Sequence, residues 1–190
     1  MKRIVIGLVG GPATGKGEIA RLLEQRGFSP FSLSDILRVK ADEKGLPRTR
    51  QVSTDIANNL RAKNGANTLA IEAIETLKNS VHTKIVIESI RHPEEVKTLQ
   101  KEFGAFVIGV TTPLKKRWKL MQERKREGDP ETWEKFLELV KREEGGLGKE
   151  TDIQVGWALK AADVIIDNSG SVEELDGKVL KILSEKKLLT

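Results

Sequence analysis

Apolar residues along the chain fall into short runs separated by longer amphipathic segments. The runs predict strands at Arg3–Val9, Pro30–Leu33, Lys84–Glu88, Phe106–Thr111 and Asp163–Asp167, and most are rich in Val and Ile, as strands buried on both faces are. The segments with helical periodicity predict helices at Lys16–Gln25, Asp35–Glu43, Ser53–Ala62, Ala66–Lys78, Pro93–Glu102, Pro113–Lys125, Thr132–Lys141 and Val172–Glu185. This alternation predicts an α/β fold, in which helices cover both faces of a parallel sheet.

Two segments interrupt the alternation. Residues 35–78 are helical throughout and lie between the second and third predicted strands, and residues 117–151 are dense in charge. Neither segment is bounded by a linker, and the chain contains no repeat or low-complexity tract. The pattern therefore predicts a single domain over residues 1–190, with two excursions over one edge of the sheet. Ser53 and Ser171 are the predicted N-caps of their helices.

The composition excludes several classes of site and is typical of a soluble globular protein. There is no cysteine and there are two histidines, so disulfides, thiolate nucleophiles and histidine metal clusters are excluded. No apolar run approaches the ~18 residues of a membrane span. The N-terminus resembles a signal peptide only superficially, because its apolar stretch is short and continues into a glycine loop. We interpret it as a buried strand of a cytoplasmic protein.

The positive net charge favours anionic partners but does not distinguish nucleic acid from a small phosphorylated molecule. The net charge is +5, from 33 Lys and Arg against 28 Asp and Glu, and the phosphates of a small nucleotide match it as well as a polynucleotide does. Aromatic residues make up 4% and there is no tyrosine, which argues against a base-stacking platform. Trp118, Trp133 and Trp157 are predicted to be packing anchors. The sequence thus favours a small phosphorylated partner.

The strongest motif is a glycine-rich loop between the first strand and the first helix. It matches G-x-x-x-x-G-K, and the strand–loop–helix context supports the match. The predicted donor-phosphate site consists of Gly10, Gly11, Pro12, Ala13, Thr14, Gly15, Lys16 and Gly17. The glycines let backbone N–H groups turn inward, and these join the helix N-terminus in holding phosphate oxygens. Lys16 adds a positive charge that follows the β- and γ-phosphates.

The residue after the lysine departs from the common motif. A Ser or Thr hydroxyl usually helps to hold Mg²⁺ there, whereas this chain has Gly17 followed by Glu18. Mg²⁺ is therefore expected to be ordered by phosphates, water and carboxylates. Glu18 either contributes through a water or is a solvated acid favoured by the helix dipole. Glu88, at the end of a buried strand beside the loop, is the predicted metal-ordering carboxylate, acting through water.

Charged residues also follow the second and third strands, at the edge where open α/β sheets bind ligands. Asp35 and Arg38 begin a helix after the second strand, and Asp35 is either a helix cap or a site acid. Arg91, three residues after Glu88, is predicted to bind an acceptor phosphate, because a guanidinium can do so bidentately. The alternative is that Glu88 is an ordinary acid at the end of a strand and Arg91 a surface cation. Arg61 either reads a base or phosphate or lies on a solvated helix face.

The second excursion is predicted to be a lid. Arg117 and Arg124 are seven residues apart and would share a helix face, and Lys125 and Arg126 follow. Phosphoryl transfer needs neutralisation of the moving charge and exclusion of water, which arginines on a closing segment provide. The alternative is an exposed helix whose charges are balanced by neighbouring glutamates. Arg124 and Arg126 are the predicted catalytic residues of this lid, beside Lys16 and Arg91.

With these residues assembled, the chain resembles the P-loop nucleoside monophosphate kinase superfamily over nearly its whole length. Gly10–Gly17 is similar to the adenylate kinase loop, and Ser34–Arg38 resembles that family's Gly-Asp-x-x-Arg segment, whose arginine holds the acceptor phosphate. Gly128–Phe136 with 146–148, and Ala162–Leu175, resemble small archaeal-type P-loop proteins described as adenylate kinase-like or dephospho-CoA kinase-like. The resemblance implies a five-stranded parallel sheet, an acceptor-binding insert, an arginine-rich lid, and an adenine near Ser169.

The sequence thus predicts an ATP- and Mg²⁺-dependent kinase that acts on a nucleoside monophosphate or a similar phosphorylated acceptor. One alternative is dephospho-CoA kinase, for which Asp35 is the candidate base. Gly17, Glu88 and Ser89 depart from that family's pattern, and its pair of acceptor aspartates is not visible. The other alternative is a nucleotide-binding regulatory or nucleic-acid-associated protein with weak transfer or none. The oligomeric state is left open.

Overall fold

The computed structural model describes residues 3–126, 128–144 and 152–189. Within them the sheet has five strands, all pairing in parallel, in the order β2-β3-β1-β4-β5. The strands are β1 (Ile4–Val9), β2 (Ser29–Ser32), β3 (Lys84–Ile90), β4 (Phe106–Thr111) and β5 (Val164–Asp167). Each lies at a predicted strand, and the α/β fold is confirmed. β3 continues two residues beyond its predicted end, so Glu88 lies inside the strand.

The helices follow the predicted order with one addition. They are α1 (Lys16–Glu24), α2 (Leu33–Glu43), α3 (Arg50–Asn64), α4 (Thr68–Lys78), α5 (Pro93–Phe103), α6 (Leu114–Arg124), α7 (Trp133–Glu144), α8 (Val155–Lys160) and α9 (Val172–Glu185). α8 was not predicted, because six residues are too short to show a period. In the described ranges no helix is long and apolar enough to cross a membrane.

The caps explain where three helices begin. Ser171 accepts a hydrogen bond from the Glu174 amide (3.3 Å), so the predicted cap of α9 is confirmed. The predicted cap at Ser53 is wrong: α3 starts earlier, because the Thr49 side chain accepts from the Val52 amide (3.2 Å). Asp35 is likewise not a cap, since Ser32 already caps α2 and leaves Asp35 in the first turn.

The sheet has a layer of helices on each face, and alternate side chains of β1 pack into the two cores that these layers form. Val5 and Val9 join the core beneath α2–α5 and α8, whereas Ile6 and Leu8 join the core beneath α1 and α9. These strand residues are at most 2% exposed, as expected for a parallel sheet covered on both faces. The arrangement is the three-layer fold that the sequence predicts.

Two of the three tryptophans pack against other aromatic rings, and the third is exposed. Trp118 and Trp133 pack edge to face with their ring centroids 6.0 Å apart, and both contact Phe136. They are packing anchors, as predicted. Trp157 is 55% exposed, so the prediction is wrong for this residue. The reason is the short amphipathic α8, whose buried face is formed by Val155 and Ala158.

Candidate nucleotide and acceptor site

The glycine loop leaves the sheet at its central strand. β1 lies between β3 and β4. The connection after β1 leads toward one edge of the sheet and the connection after β3 leads toward the other edge. Open α/β sheets bind ligands where the strand order reverses in this way. Two glycines are required by close approach. A methyl group at Gly10 would lie 2.6 Å from the Val110 carbonyl oxygen, and Gly15 has φ +95° beneath the Asn168 amide. The loop therefore has the backbone that phosphate binding needs.

Three side chains from outside the loop hold its carbonyl groups. The Thr14 carbonyl accepts from the Thr112 hydroxyl (2.8 Å) and from the Asn168 amide (3.1 Å). The Pro12 carbonyl accepts from Arg117 Nε (2.8 Å). Arg117 is only 3% exposed, so it supports the loop from within the fold. Arg117 and Arg124 both lie on α6, seven residues apart as predicted, and their proposed role in a lid stays a prediction.

Lys16 folds back over the loop. Its Nζ donates to the carbonyls of Gly10 (2.7 Å) and Gly11 (2.8 Å). The pKa of Lys16 is lowered to about 7, chiefly by burial and next by the positive charge of Arg91, while the carboxylates of Glu143 and Glu88 oppose the shift. An anion at this position would restore the charged ammonium. Lys16 is thus placed to respond electrostatically to a phosphate.

Gly17, the residue after the lysine, lacks the hydroxyl that many glycine loops have there, although there is room for a side chain. A methyl group at Gly17 would meet no atom within 4 Å. Glu18 forms an ion pair with Arg21 one turn further along α1, which agrees with a first-turn acid. Its proposed contact with Mg²⁺ through water stays a prediction.

Glu88 lies at an irregularity in β3. Gly7 pairs with Ile87 and Val9 pairs with Ile90, so β3 contains one residue more than β1 here. Ser89 takes the left-handed conformation with φ +64°, unusual for a non-glycine residue. Burial raises the pKa of Glu88, while the charges of Lys16 and Arg126 oppose that rise. Glu88 therefore lies within electrostatic reach of Lys16 in the glycine loop.

A cavity of about 40 Å³ opens between α2, α3 and the end of β3. Its polar lining consists of hydroxyl groups and guanidinium groups, contributed by Ser34, Ser53, Thr54, Ser89, Arg50, Arg61 and Arg91. None of its lining residues carries a carboxylate. This lining suits an acceptor with an anionic group. Arg91 thus lines this cavity and also lies close enough to lower the pKa of Lys16 through its charge.

Arg61 is fixed by a buried ion pair. Its Nη2 donates to Glu95 Oε1 at 2.8 Å, and the two side chains are 1% and 0% exposed. Glu95 also accepts from the backbone amides of Arg91 (2.9 Å) and His92 (3.1 Å). The interpretation of Arg61 as a solvated helix residue is therefore wrong. Glu95 joins α3 to the backbone that carries Arg91.

Arg50 and Arg91 share a carboxylate from α7. Arg50 Nε donates to Glu143 Oε1 at 3.0 Å, and Arg91 Nη1 donates to Oε2 at 2.8 Å. Burial alone would raise the pKa of Glu143, but Arg91 and Arg50 outweigh it and lower that pKa. Sequence reasoning missed Arg50 and Glu143, since partners 93 residues apart leave no spacing pattern.

The other predicted site residues lie at the periphery. Arg38 pairs with Asp35 on the surface of α2, and neither residue lines the cavity. Arg124 pairs with Asp129 at 2.8 Å, and Arg126 is exposed. Their proposed roles in catalysis and acceptor binding stay predictions.

The loop after β5, near which an adenine is predicted, is held in place by Lys116. Its Nζ donates to the carbonyls of Asn168 (2.9 Å) and Gly170 (2.6 Å). Ser169 between them is exposed and donates to Asp167 (2.6 Å), and its contact with adenine stays a prediction. Of the predicted lid, Glu127 and residues 145–151, including the 146–148 segment, lie outside the described residues.

Comparison with known proteins identifies a family model, and also relatives that span nearly the whole chain. The AAA domain family model matches residues 6–139. A UPF0200 protein of Methanoregula boonei is 35% identical over 181 residues, which cover 94% of this chain and 95% of the relative. A UPF0200 protein of Pyrococcus horikoshii is 30% identical over 187 residues, covering 96% and 97%. The name UPF0200 specifies no reaction.

Solved structures share the fold at low sequence identity. TT1252 from Thermus thermophilus has a TM-score of 0.61 at 18% identity, covering 97% of this chain and 98% of that one. Shikimate kinase from Acinetobacter baumannii has 0.56 at 16%, covering 98% and 96%. A gluconokinase from Sinorhizobium meliloti has 0.54 at 15%, covering 97% and 94%. The chain therefore belongs to the UPF0200 family and has the P-loop kinase-like fold.

Proposed function

We propose that the protein is an ATP-dependent phosphotransferase, which moves the γ-phosphoryl group onto a nucleoside monophosphate or a similar phosphorylated acceptor. The observation that carries this proposal is the position of Arg91. Its charge depresses the pKa of Lys16 in the glycine loop, and its side chain also lines the neighbouring cavity. A donor phosphate and an acceptor phosphate would therefore meet at this arginine.

The roles on the donor side follow from the loop. Its amides and Lys16 would hold the β- and γ-phosphates. The donor set fits Mg²⁺ if the triphosphate and water supply most ligands, because Glu88 offers one carboxylate and Gly17 offers no hydroxyl. Mg²⁺ would neutralise charge on the phosphates. Ser169 and Glu18 would border the donor, and Arg124 and Arg126 would cover the transferring group.

The acceptor side favours a phosphate nucleophile. An oxygen of the acceptor phosphate attacks the γ-phosphorus, the bond to the β-phosphate oxygen breaks, and ADP leaves. A phosphate oxygen is already deprotonated, so this step needs no general base, and the cavity lining contains no carboxylate. A hydroxyl acceptor, as in dephospho-CoA kinase, would benefit from a base. Asp35, the candidate base, lies outside that lining. Arg91 would hold the acceptor phosphate, with Arg38 at the outer edge.

The test is transfer from ATP to a panel of acceptors. The panel contains ribo- and deoxynucleoside monophosphates, dephospho-CoA, shikimate and gluconate, and ADP formation is measured with Mg²⁺ present. We expect a monophosphate to be the best acceptor. Binding of ATP without transfer to any member would refute the kinase proposal. Steeply salt-dependent RNA or DNA binding in its place would support the regulatory alternative.

Arg91→Ala tests the assignment of the acceptor arginine. We expect kcat/KM for the acceptor to fall by about 100-fold or more, as for loss of a charge-assisted contact to a reacting group, while the ATP dissociation constant changes by about threefold or less. The control is Arg48→Ala, an exposed arginine that pairs with Asp42 and has no assigned role in the site. Equal losses of donor and acceptor binding in Arg91→Ala would contradict the assignment.

A further inference from the structure

Glu143 lies behind the two cavity arginines. Its side chain is 3% exposed, whereas those of Arg50 and Arg91 are 29% and 31% exposed. Arg50 and Arg91 line the cavity and Glu143 does not. An anion entering the cavity would therefore meet the guanidinium groups first. The carboxylate thus holds both arginines without itself lining the cavity.

Two guanidinium groups do not stay together without such a counter-charge. Like charges repel, and Arg50 is also the first residue of α3, where the helix dipole disfavours a cation. The Arg50 carbonyl is fixed by the Thr54 hydroxyl at 3.0 Å, but its long side chain has no such restraint from its own helix. Bound by opposite oxygens of one buried carboxylate, the two guanidinium groups lose this freedom.

The contacts with Glu143 leave donors for a ligand. Arg91 donates to Glu143 through Nη1, and Arg50 through Nε and Nη2. Each guanidinium carries five N–H donors in a rigid plane, so neither is consumed by one carboxylate. Fixing the planes in advance reduces the ordering that a bound anion would otherwise require.

We propose that Glu143 is a positioning residue, which holds Arg50 and Arg91 side by side so that both bind one anionic group in the cavity. The inference rests on the proposed function, because that group is the acceptor's phosphate. The three residues come from α3, from the segment after β3 and from α7. Glu143 thus makes the acceptor site dependent on the helix that follows the predicted lid arginines.

The experiment measures binding of inorganic phosphate by calorimetry. The protein is first saturated with Mg²⁺ and a non-hydrolysable ATP analogue, so that the glycine loop is filled. We expect Glu143→Gln and Arg50→Gln each to weaken phosphate binding about tenfold. The double variant should be no weaker than either single one, because both changes remove the same arrangement. Glu134→Gln, an exposed acid of α7, is the matched control and should change binding by about twofold or less.

Several outcomes would overturn the inference. Tighter phosphate binding in Glu143→Gln would mean that the carboxylate competes with the anion, and additive losses would mean that the two residues act separately. Glu143→Asp keeps the charge and should recover part of the affinity. If Glu143→Gln does not fold, Arg50→Gln alone decides, because unchanged phosphate affinity there removes Arg50 from the site. Failure of the ATP analogue to bind would count against the proposed function, which is a separate result.

Discussion

The glycine loop and the arginine-lined cavity are neighbours that are built in opposite ways. The loop is continuous in sequence, and Lys16 closes it through carbonyls five and six residues away. The cavity arginines come from α3 and from the segment after β3. Their carboxylate partners lie 93, 34 and 52 residues away for Arg50, Arg61 and Arg91. The loop depends on backbone shape, whereas the cavity depends on charges that must be paired.

This difference predicts how each region fails. A loop shaped by close contacts tolerates no added atoms where other atoms approach its backbone, and tolerates them where the space is open, as at Gly17. A cavity made of ion pairs is vulnerable to the loss of any one partner, because the remaining buried charge is left unpaired. Substitutions should therefore act through sterics on the donor side and through electrostatics on the acceptor side.

The largest effect is expected from Glu95→Ala, which leaves the buried Arg61 unpaired. Removal of one partner of a buried ion pair costs about 3–5 kcal/mol, and two backbone amides lose their acceptor as well. Urea denaturation measures the free energy of unfolding. Glu102→Ala, at an exposed position of the same helix, should change it by about 0.5 kcal/mol or less. A loss below about 1 kcal/mol in Glu95→Ala would show that α3 is held by other contacts.

On the donor side, Gly10→Ala should destabilise the protein by about 1–3 kcal/mol, as overpacking does, and should weaken ATP binding. The added methyl group would lie 2.6 Å from the backbone oxygen of Val110, which cannot move independently of β4. Gly17→Ala is the control, since its methyl group enters open space. Thermal unfolding and nucleotide titration check both variants. Equal behaviour of the two glycine variants would contradict the steric account of the loop.

The charge of Lys16 predicts a pH dependence of nucleotide binding. Its pKa is lowered to about 7 in the free protein, and bound phosphates should raise it. In the free protein Lys16 is therefore mostly charged below about pH 7 and mostly neutral above about pH 7. At the higher pH it must take up a proton when phosphates bind. ATP-analogue affinity should fall up to about tenfold between pH 7 and pH 8, with proton uptake. Calorimetry in buffers of different ionisation enthalpy measures this, and Lys16→Met should show weak, pH-independent binding.

The smallest effect is expected from Gly17→Ser, which adds the hydroxyl that many glycine loops offer to Mg²⁺. The space is open, so the variant should fold normally. The Mg²⁺ concentration for half-maximal ATP-analogue binding should fall by about two- to fivefold. Gly17→Ala corrects for the change in helix propensity. Identical Mg²⁺ dependence in the two variants would show that Glu88 and water already satisfy the metal.

The same division explains what the sequence could predict. The strands, the glycine loop and the placement of Arg91 follow from local patterns: apolar periodicity, motif spacing and the end of a strand. Arg61 was open to misinterpretation because its partner Glu95 is separated from it by an entire helix and strand. Arg50 and Glu143 gave no signal at all, since a pairing between distant elements exists only in three dimensions.

The span of the Arg50–Glu143 pair also has a consequence for folding kinetics. Contacts between residues far apart in sequence form only after the intervening chain has been brought together, and the associated loop-closure entropy slows them. The glycine loop closes over a few residues, whereas the members of this pair are 93 residues apart in sequence, and β3 and β4 lie between them. During refolding we expect the donor loop to protect its amides early. The acceptor arginines should converge last, so a newly made chain would be able to bind nucleotide before it could bind an acceptor.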